Sequence, residues 1–304
     1  MIDIQYSAEV SAAKETGSAL VALESTIITH GMPFPQNVEV AAQVEQDIRD
    51  AGATPATIAV MEGILHVGLE PDQLQALGQA QGVAKVSRAD MPACIAMGKT
   101  GATTVAATMI AARLAGISVF ATGGIGGVHK GAETSFDISA DLLELAQTPV
   151  TVVAAGAKAI LDIPKTLEIL ETQGVPVISY GQDSFPAFWS AQSELTSPLR
   201  MDKARDIARA QLTRSAMGLP GGQLIANPIP QESEIAAEVL APVIAQAQAE
   251  ADAQGVSGKA VTPFLLKRIF ELTEGRSLTA NIALVRNNAR LAAEIAKEMA
   301  ALNS

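Results

Sequence analysis

The chain has 304 residues and a formal net charge of -11, with 48% hydrophobic but only 3% aromatic residues, so it can bury one large core or two ordinary ones. The acidic balance and the scarcity of aromatic rings argue against a nucleic-acid polymer as partner, since such partners need basic groups for phosphates and rings for bases. Its single cysteine, Cys94, excludes an intramolecular disulfide and a cysteine-cluster metal site.

Short apolar segments with strand character alternate with amphipathic segments along most of the chain. The predicted strands are Leu20–Leu23, Thr57–Met61, Ser118–Thr122, Val150–Ala154 and Val175–Tyr180. The helices predicted between them are Asn37–Ala51, Pro71–Gln79, Thr104–Ala115, Ser139–Ala146 and Ile163–Thr172. This alternation predicts an α/β fold, a three-layer α/β/α sandwich around a central sheet that is largely parallel or mixed.

From Met201 onward the pattern changes to alanine-rich helices, predicted at Lys203–Met217, Glu232–Gln254 and Ala280–Ala301. We expect these extra C-terminal helices to complete the helical layers. No linker rich in Pro, Gly and Ser and no fixed-period repeat interrupts the sequence, so a single domain over residues 1–304 is predicted.

The sequence carries no recognisable targeting or membrane segment. Its first residues, MIDIQYSAEV, include neither a basic region nor a long apolar stretch, and apolar runs such as Val150–Ala155 are short. We therefore expect a cytoplasmic protein without a membrane partner.

The first candidate site segment follows the strand Leu20–Leu23 and reads ESTIITHGMPFPQN. In open α/β sheets, ligands bind beyond the carboxyl ends of the strands. At such an end Glu24 would be partly desolvated, which favours the neutral acid and suits a general acid. A surface carboxylate or a helix cap is the alternative interpretation.

The second segment follows the strand Ser118–Thr122 and contains GGIGGVHKG. Backbone N–H groups of a glycine-rich loop can approach an anion, and His129 and Lys130 add a polar and a positive group beside it. The spacing matches neither the Walker motif nor the dinucleotide fingerprint. The alternative interpretation is a tight turn between elements.

Two carboxylates, Asp137 and Asp141, lie four residues apart around Ser139 at the start of a predicted helix. Residues at this spacing share a helix face, and carboxylate oxygens with water suit Mg²⁺ or Mn²⁺. Alternatively, Asp137 or Ser139 caps the first turn of the helix.

The third segment follows the strand Val150–Ala154 and reads AGAKAILDIPK. Lys158 stands among small and apolar residues, and desolvation disfavours the ammonium form and frees the amine to attack a carbonyl. Such a lysine suits imine formation. Lys165, beside Pro164, is more simply a solvated residue at a helix start.

Ordered motifs over nearly the whole chain resemble one enzyme family, the pseudouridine-5'-phosphate glycosidases, which include the indigoidine synthase A-like proteins. The motifs include ALESTIITHGMPFPQN, ATIAVMEGILHVGL, GATTVAATMIAARLAG, FATGGIGGVHKGAETSFDISADL, AGAKAILD and TPFLLKRIFELT. Ala89 and Lys130 depart from the family pattern, in which arginine is usual at both positions. These departures concern details of anion binding.

The resemblance implies reversible cleavage of the carbon–carbon glycosidic bond of pseudouridine 5'-phosphate, giving uracil and ribose 5-phosphate. Lys158 matches the lysine that forms a Schiff base with the ring-opened sugar, and Glu24 matches the proton donor to the departing uracil. Asp137 matches the carboxylate that holds one Mn²⁺ per subunit mostly through waters, although Mg²⁺ would use the same oxygens. Asp141, near Asp137, could shuttle the proton that opens the ring.

The resemblance further implies a homotrimer and a set of substrate-binding positions. A sugar-phosphate-binding module without catalysis, and an imine-forming lyase that acts on another nucleoside phosphate, are the alternatives. The substrate-binding positions predicted from the motifs and the glycine-rich loop are Lys85, Val105, His129, Lys130, Ser139, Ala140, Asp141 and Asn281.

Overall fold

The computed structural model describes residues 2–256 and 258–303 of the chain. Its strands are β1 (Ile4–Tyr6), β2 (Leu20–Leu23), β3 (Thr54–Met61), β4 (Ile64–Val67), β5 (Ala84–Val86), β6 (Gly101–Thr103), β7 (Val119–Ala121), β8 (Val128–His129), β9 (Thr151–Ala154), β10 (Leu161–Asp162), β11 (Val177–Tyr180), β12 (Leu199–Met201) and β13 (Gln223–Ala226). Its α-helices are α1 (Ala8–Thr16), α2 (Thr26–His30), α3 (Gln36–Asp50), α4 (Pro71–Gln79), α5 (Met91–Ala96), α6 (Val105–Ala115), α7 (Ala132–Ser135), α8 (Ala140–Gln147), α9 (Ile163–Thr172), α10 (Ala204–Ala216), α11 (Ala237–Ala253), α12 (Val261–Leu272) and α13 (Arg276–Asn303). Short 3-10 helices occupy Gln231–Ser233 and Gly258–Ala260.

A mixed sheet forms the centre of the molecule, with strand order β1-β4-β3-β2-β7-β9-β13-β11-β12. From β3 to β12 every neighbouring pair in this order is parallel, whereas β4 runs antiparallel to β3. β6 pairs with β3 and β5 pairs with β6 at the side of this path, and β8 and β10 form a separate antiparallel ribbon. Helices flank the sheet, so the predicted α/β sandwich with a largely parallel or mixed sheet is confirmed.

The central strands are apolar because helices cover them. Phe120, Val152, Leu224 and Ile178, from β7, β9, β13 and β11, are each fully buried, as expected for parallel strands covered on both faces. The long helix α13 packs on β2, β7 and β9, and α6 packs on β2, β3 and β7. Within the described chain, no helix is long and apolar enough to cross a bilayer.

One central strand, β13, lies in a region for which the sequence predicts only helices. Its four residues form a short run after LPGG, and the long alanine-rich segments on either side dominate the local pattern. β13 nevertheless lies between β9 and β11. The helix predicted from Glu232 begins only at Ala237, because an extended stretch precedes it. In that stretch the backbone N–H of Ile235 donates to the carbonyl of Trp189 at 2.8 Å.

The strand order determines where the candidate site forms. β2, β7 and β9 are adjacent and parallel, so their carboxyl ends meet at the same edge of the sheet. Glu24 follows β2, the glycine-rich loop follows β7 and the segment with Lys158 follows β9. The three segments chosen from the sequence therefore start side by side.

Candidate functional site

Glu24 lies at the carboxyl end of β2, half-buried and held by two hydroxyl groups. The hydroxyl of Thr122, which follows β7, donates to one carboxylate oxygen, and the hydroxyl of Thr26 donates to the other. Ser25, not Glu24, is the residue that precedes helix α2. The contacts therefore do not support the helix-cap interpretation, and they fix the carboxylate at the junction of two strands.

A small cavity of about 30 Å³ lies beside Glu24, which is enough space for about one water molecule. Glu24, Thr57 and Thr122 are its polar side chains. The remaining lining is apolar and consists of Leu23, Ile27, Ile28, Val40, Ala41, Val44, Ala121, Gly123 and Val285. Glu24 thus has the partly desolvated surroundings that its position in the sequence predicts.

Two buried asparagines support the strand end that carries Thr122. The amide of Asn288, on α13, is fully buried and donates to the carbonyl of Thr122 at 2.8 Å. Asn227, directly after β13, donates to the side-chain oxygen of Asn288 at 3.1 Å. These contacts connect three elements behind Glu24. Neither asparagine is predicted as a site residue from the sequence, although a polar residue on the apolar face of a helix, as Asn288 is, is a detectable signal.

Three of the four glycines in the GGIGG segment are required by close packing. A Cβ at Gly124 would lie 2.6 Å from the ring of Phe188, one at Gly126 would clash with Ser139, and one at Gly127 would clash with Thr166. A side chain at these positions would therefore displace its neighbours. This packing supports the tight-turn interpretation, whereas anion binding by the loop stays a prediction.

Asp141 connects the glycine-rich loop to the start of α6. It is buried, and its two carboxylate oxygens accept the N–H groups of Gly126 at 2.8 Å and Ala106 at 2.9 Å. Ala106 follows Val105, the buried first residue of α6. Asp141 therefore orders two predicted substrate-binding segments. Its role as a proton shuttle stays a prediction.

The prediction that Asp137 and Asp141 share a helix face is wrong. Helix α8 begins at Ala140, and Ser139 caps it by accepting the N–H of Asp141 at 3.2 Å. Asp137 precedes the cap and follows Phe136, whose φ of 53° lies in the left-handed region, so the chain turns before the helix starts. The alternative in which Ser139 caps the helix is confirmed.

The charges of three predicted site residues act on a fourth, His129, in the ribbon of β8 and β10. In this ribbon His129 pairs with Leu161, which brings the loop after β7 against the segment after β9. Burial lowers the pKa of His129, the nearby charges of Lys158 and Lys85 lower this pKa further, and Asp137 opposes them. Lys158 itself is half-buried, and its backbone N–H donates to the carbonyl of Ile125 at 3.1 Å. Lys85, Asp137 and Lys158 are thus near enough to His129 for their charges to act on it.

The charge of Lys85 reaches a further histidine, His30. Burial lowers the pKa of His30, and Lys85 lowers it further. His30 ends helix α2, which starts two residues after Glu24, and no sequence pattern singles it out. The segment that begins at Glu24 therefore ends within reach of the charge of Lys85.

Two further predicted residues lie at the margin of this arrangement. Lys130 is exposed. Burial raises the pKa of Asp162, but Lys165 and, more weakly, the charge of Lys130 lower it, so that the pKa lies below its ordinary value. Asn281 lies half-buried on α13, where its side-chain oxygen accepts the indole N–H of Trp189 at 2.7 Å. Lys130 is therefore a surface residue of the ribbon, whereas Asn281 lies in the helix that covers the carboxyl edge.

The donor groups at Asp137 restrict the kind of metal ion that the site could hold. Among residues 2–256 and 258–303, no three His, Cys, Asp or Glu side chains form a group that could bind a metal. One carboxylate beside His129 fits only an ion that takes most of its ligands from water or from a substrate phosphate, as Mg²⁺ and Mn²⁺ do. The manganese ion stays a prediction.

Comparison with known proteins gives the same family along nearly the whole chain. Residues 9–298 match the model of the family described as "Indigoidine synthase A like protein". The chain is 73% identical over 300 residues to a pseudouridine-5'-phosphate glycosidase of Roseobacter denitrificans, covering 99% of this chain and 97% of that protein.

Two solved structures share the fold. One is the prealnumycin C-glycosynthase AlnA in complex with ribulose 5-phosphate, with a TM-score of 0.92, 38% identity and coverage of 99% of this chain and 98% of the other. The second is an indigoidine synthase A-like protein from Thermotoga maritima, with a TM-score of 0.89, 33% identity and coverage of 98% and 97%. The chain belongs to the indigoidine synthase A-like family, as its sequence motifs predict.

Proposed function

We propose that this protein is an enzyme that reversibly cleaves pseudouridine 5'-phosphate to uracil and ribose 5-phosphate. Relatives at 73% and 67% identity are named pseudouridine-5'-phosphate glycosidase, and the related AlnA structure holds a sugar phosphate. The observation that carries the proposal is that the charges of Lys85, Asp137 and Lys158 all act on His129. The segments that contain His129 and Lys158 follow β7 and β9, next to the strand that ends at Glu24. An amine and a carboxyl group are the groups that this reaction needs.

The carbon–carbon bond determines the type of chemistry. Ordinary glycosidases protonate an oxygen or nitrogen of the leaving group, and a C-glycoside offers neither at the bond that breaks. In our proposal the amine of Lys158 bonds to C1' as the C1'–O4' bond breaks and the sugar ring opens. The proton that the nitrogen gives up reaches O4', which becomes a hydroxyl group. Glu24 then gives a proton to C5 of uracil while the carbon–carbon bond breaks, and the amine lone pair forms the C=N bond of an iminium. Water hydrolyses the iminium, which frees Lys158 and ribose 5-phosphate.

The surrounding residues support this chemistry in different ways. Lys85 provides positive charge for a phosphate, and a neutral His129 can accept a hydrogen bond. A manganese or magnesium ion near Asp137 would supply further positive charge when it is bound. Asp141 would act in ring opening and order the loop. Assembly as a homotrimer and location in the cytoplasm also belong to the proposal.

Trapping of the imine tests the proposal. Wild-type protein incubated with ribose 5-phosphate and borohydride should gain one covalent adduct on Lys158, and Lys158→Ala should lose both the adduct and uracil release. Lys165→Ala is the matched control, because Lys165 is exposed and pairs with Asp162 at 2.9 Å and Glu133 at 3.1 Å. It should keep both properties. An adduct on another lysine, or none, would remove the mechanism.

Substrate comparison separates the alternatives. Faster release of uracil from uridine 5'-phosphate than from pseudouridine 5'-phosphate would favour an imine-forming lyase for another nucleoside phosphate. Binding of the sugar phosphate without any uracil release would favour a module that binds and does not catalyse.

A further inference from the structure

Trp189, the single tryptophan of the chain, makes a hydrogen bond whose direction is fixed by chemistry. Only 1% of its surface is exposed, and its indole N–H lies 2.7 Å from the side-chain oxygen of Asn281. An indole N–H can donate but cannot accept, so Asn281 must turn its oxygen toward Trp189. The amide NH2 group of Asn281 then points away from Trp189.

The position of Asn281 on α13 places it over the glycine-rich loop. Leu284 and Val285 follow one turn later, on the same helix face, and a Cβ at Gly123 would lie 3.4 Å from the side chains of both. One further turn along this face, Asn288 binds the carbonyl of Thr122. Asn281 therefore belongs to the helix face that covers the carboxyl end of β7.

The neighbour of Trp189 connects the indole to both loops of the site. The rings of Phe188 and Trp189 meet edge to face, with 5.0 Å between their centroids. Phe188 packs against Gly124, and its N–H donates to the carbonyl of Ala155 at 3.1 Å. The loop that leads to His129 and the segment that leads to Lys158 thus hold Trp189 in place.

We propose that Trp189 is a positioning residue that holds Asn281 as a hydrogen-bond donor for the substrate. With its oxygen engaged by the indole, the amide offers two N–H groups, which recognise an acceptor oxygen of the sugar phosphate and do not recognise a donor. The inference rests on the proposed function, because the substrate-binding role of Asn281 does. It adds the residue that sets the orientation of the amide.

A double-mutant cycle tests the coupling between the two residues. Trp189→Phe and Asn281→Ala should each lower kcat/KM for uracil release about tenfold, and the double variant should be no worse than either. Losses that multiply to about a hundredfold would overturn the proposal, since they would mean independent roles. Asn281→Asp keeps an acceptor for the indole but presents no N–H to the substrate, so it should be as impaired as Asn281→Ala. Wild-type activity in Asn281→Asp would also overturn the proposal.

Fluorescence gives a second measurement that does not depend on the folding of Trp189→Phe. Because Trp189 is the sole tryptophan, its emission should change saturably when ribose 5-phosphate is added to the wild-type protein, and this change should be lost in Asn281→Ala. Calorimetric binding of ribose 5-phosphate without any change in emission would overturn the inference. Absence of uracil release by the wild-type protein would instead overturn the proposed function.

Discussion

Replacement of Asn288 by alanine should destabilise the protein and disturb the site from behind. Asn288 is fully buried, donates to the carbonyl of Thr122 and accepts from Asn227, so its truncation deprives two buried groups of a partner. Each such group costs about 1–3 kcal/mol, which gives a loss in unfolding free energy of about 2–5 kcal/mol after local relaxation. For a chain of 304 residues, this loss corresponds to a fall in Tm of about 3–8 °C.

Asn287→Ala is the matched control for this experiment. Asn287 is the neighbouring residue on α13 and makes one side-chain hydrogen bond, to the carbonyl of Pro228 at 3.0 Å, at a half-buried position. Its loss should cost only about 1 kcal/mol, because water can replace the amide. Urea unfolding of both variants and the wild type measures the difference. Equal destabilisation by the two substitutions would refute the reasoning that complete burial of Asn288 sets the cost.

Two further predictions concern side chains of the site. Thr122→Val removes a hydroxyl that donates to Glu24, so kcat should fall about tenfold with little change in KM. An unchanged kcat in steady-state assays would contradict the proposed orientation of Glu24. Burial lowers the pKa of His129 from its ordinary value of 6.5. Below pH 6.5 the unfolded chain therefore holds a proton that the folded chain lacks. The free energy of unfolding then falls as the pH drops toward the pKa of the folded state. His129→Gln should flatten this part of the decline in denaturant unfolding between about pH 5 and 7; an unaltered slope would count against the shift.

Regular periodicity made much of the fold predictable. β2, α4 and α9 have the predicted bounds, and α6 starts one residue after the predicted start because Thr104 is its cap. β13 escaped prediction because four residues, of which three are apolar, carry too little pattern between alanine-rich helices to identify a strand. Only its pairing with β9 and β11 makes it one, and that pairing is not local in the sequence.

The candidate site was predictable as a set of segments, and its internal contacts were not. The rule that ligands bind beyond parallel strand ends selects the segments after β2, β7 and β9, and the strand order brings these segments side by side. The rule of helical spacing failed for Asp137, since the start of α8 depends on a turn at Phe136. Trp189 and Asn288 contact residues more than ninety positions away, so only the folded chain reveals them.

The position of α13 in the chain affects the order in which a newly made protein can mature. Translation delivers β2, β7 and β9 well before the helix that packs on all of them. Until α13 emerges from the ribosome, the carbonyl of Thr122 lacks its hydrogen bond from Asn288, and the apolar face of the sheet on which α13 packs stays exposed. Nascent chains stalled before Arg276 should therefore be the ones that chaperones retain, and competence to bind a sugar phosphate should arise late in synthesis.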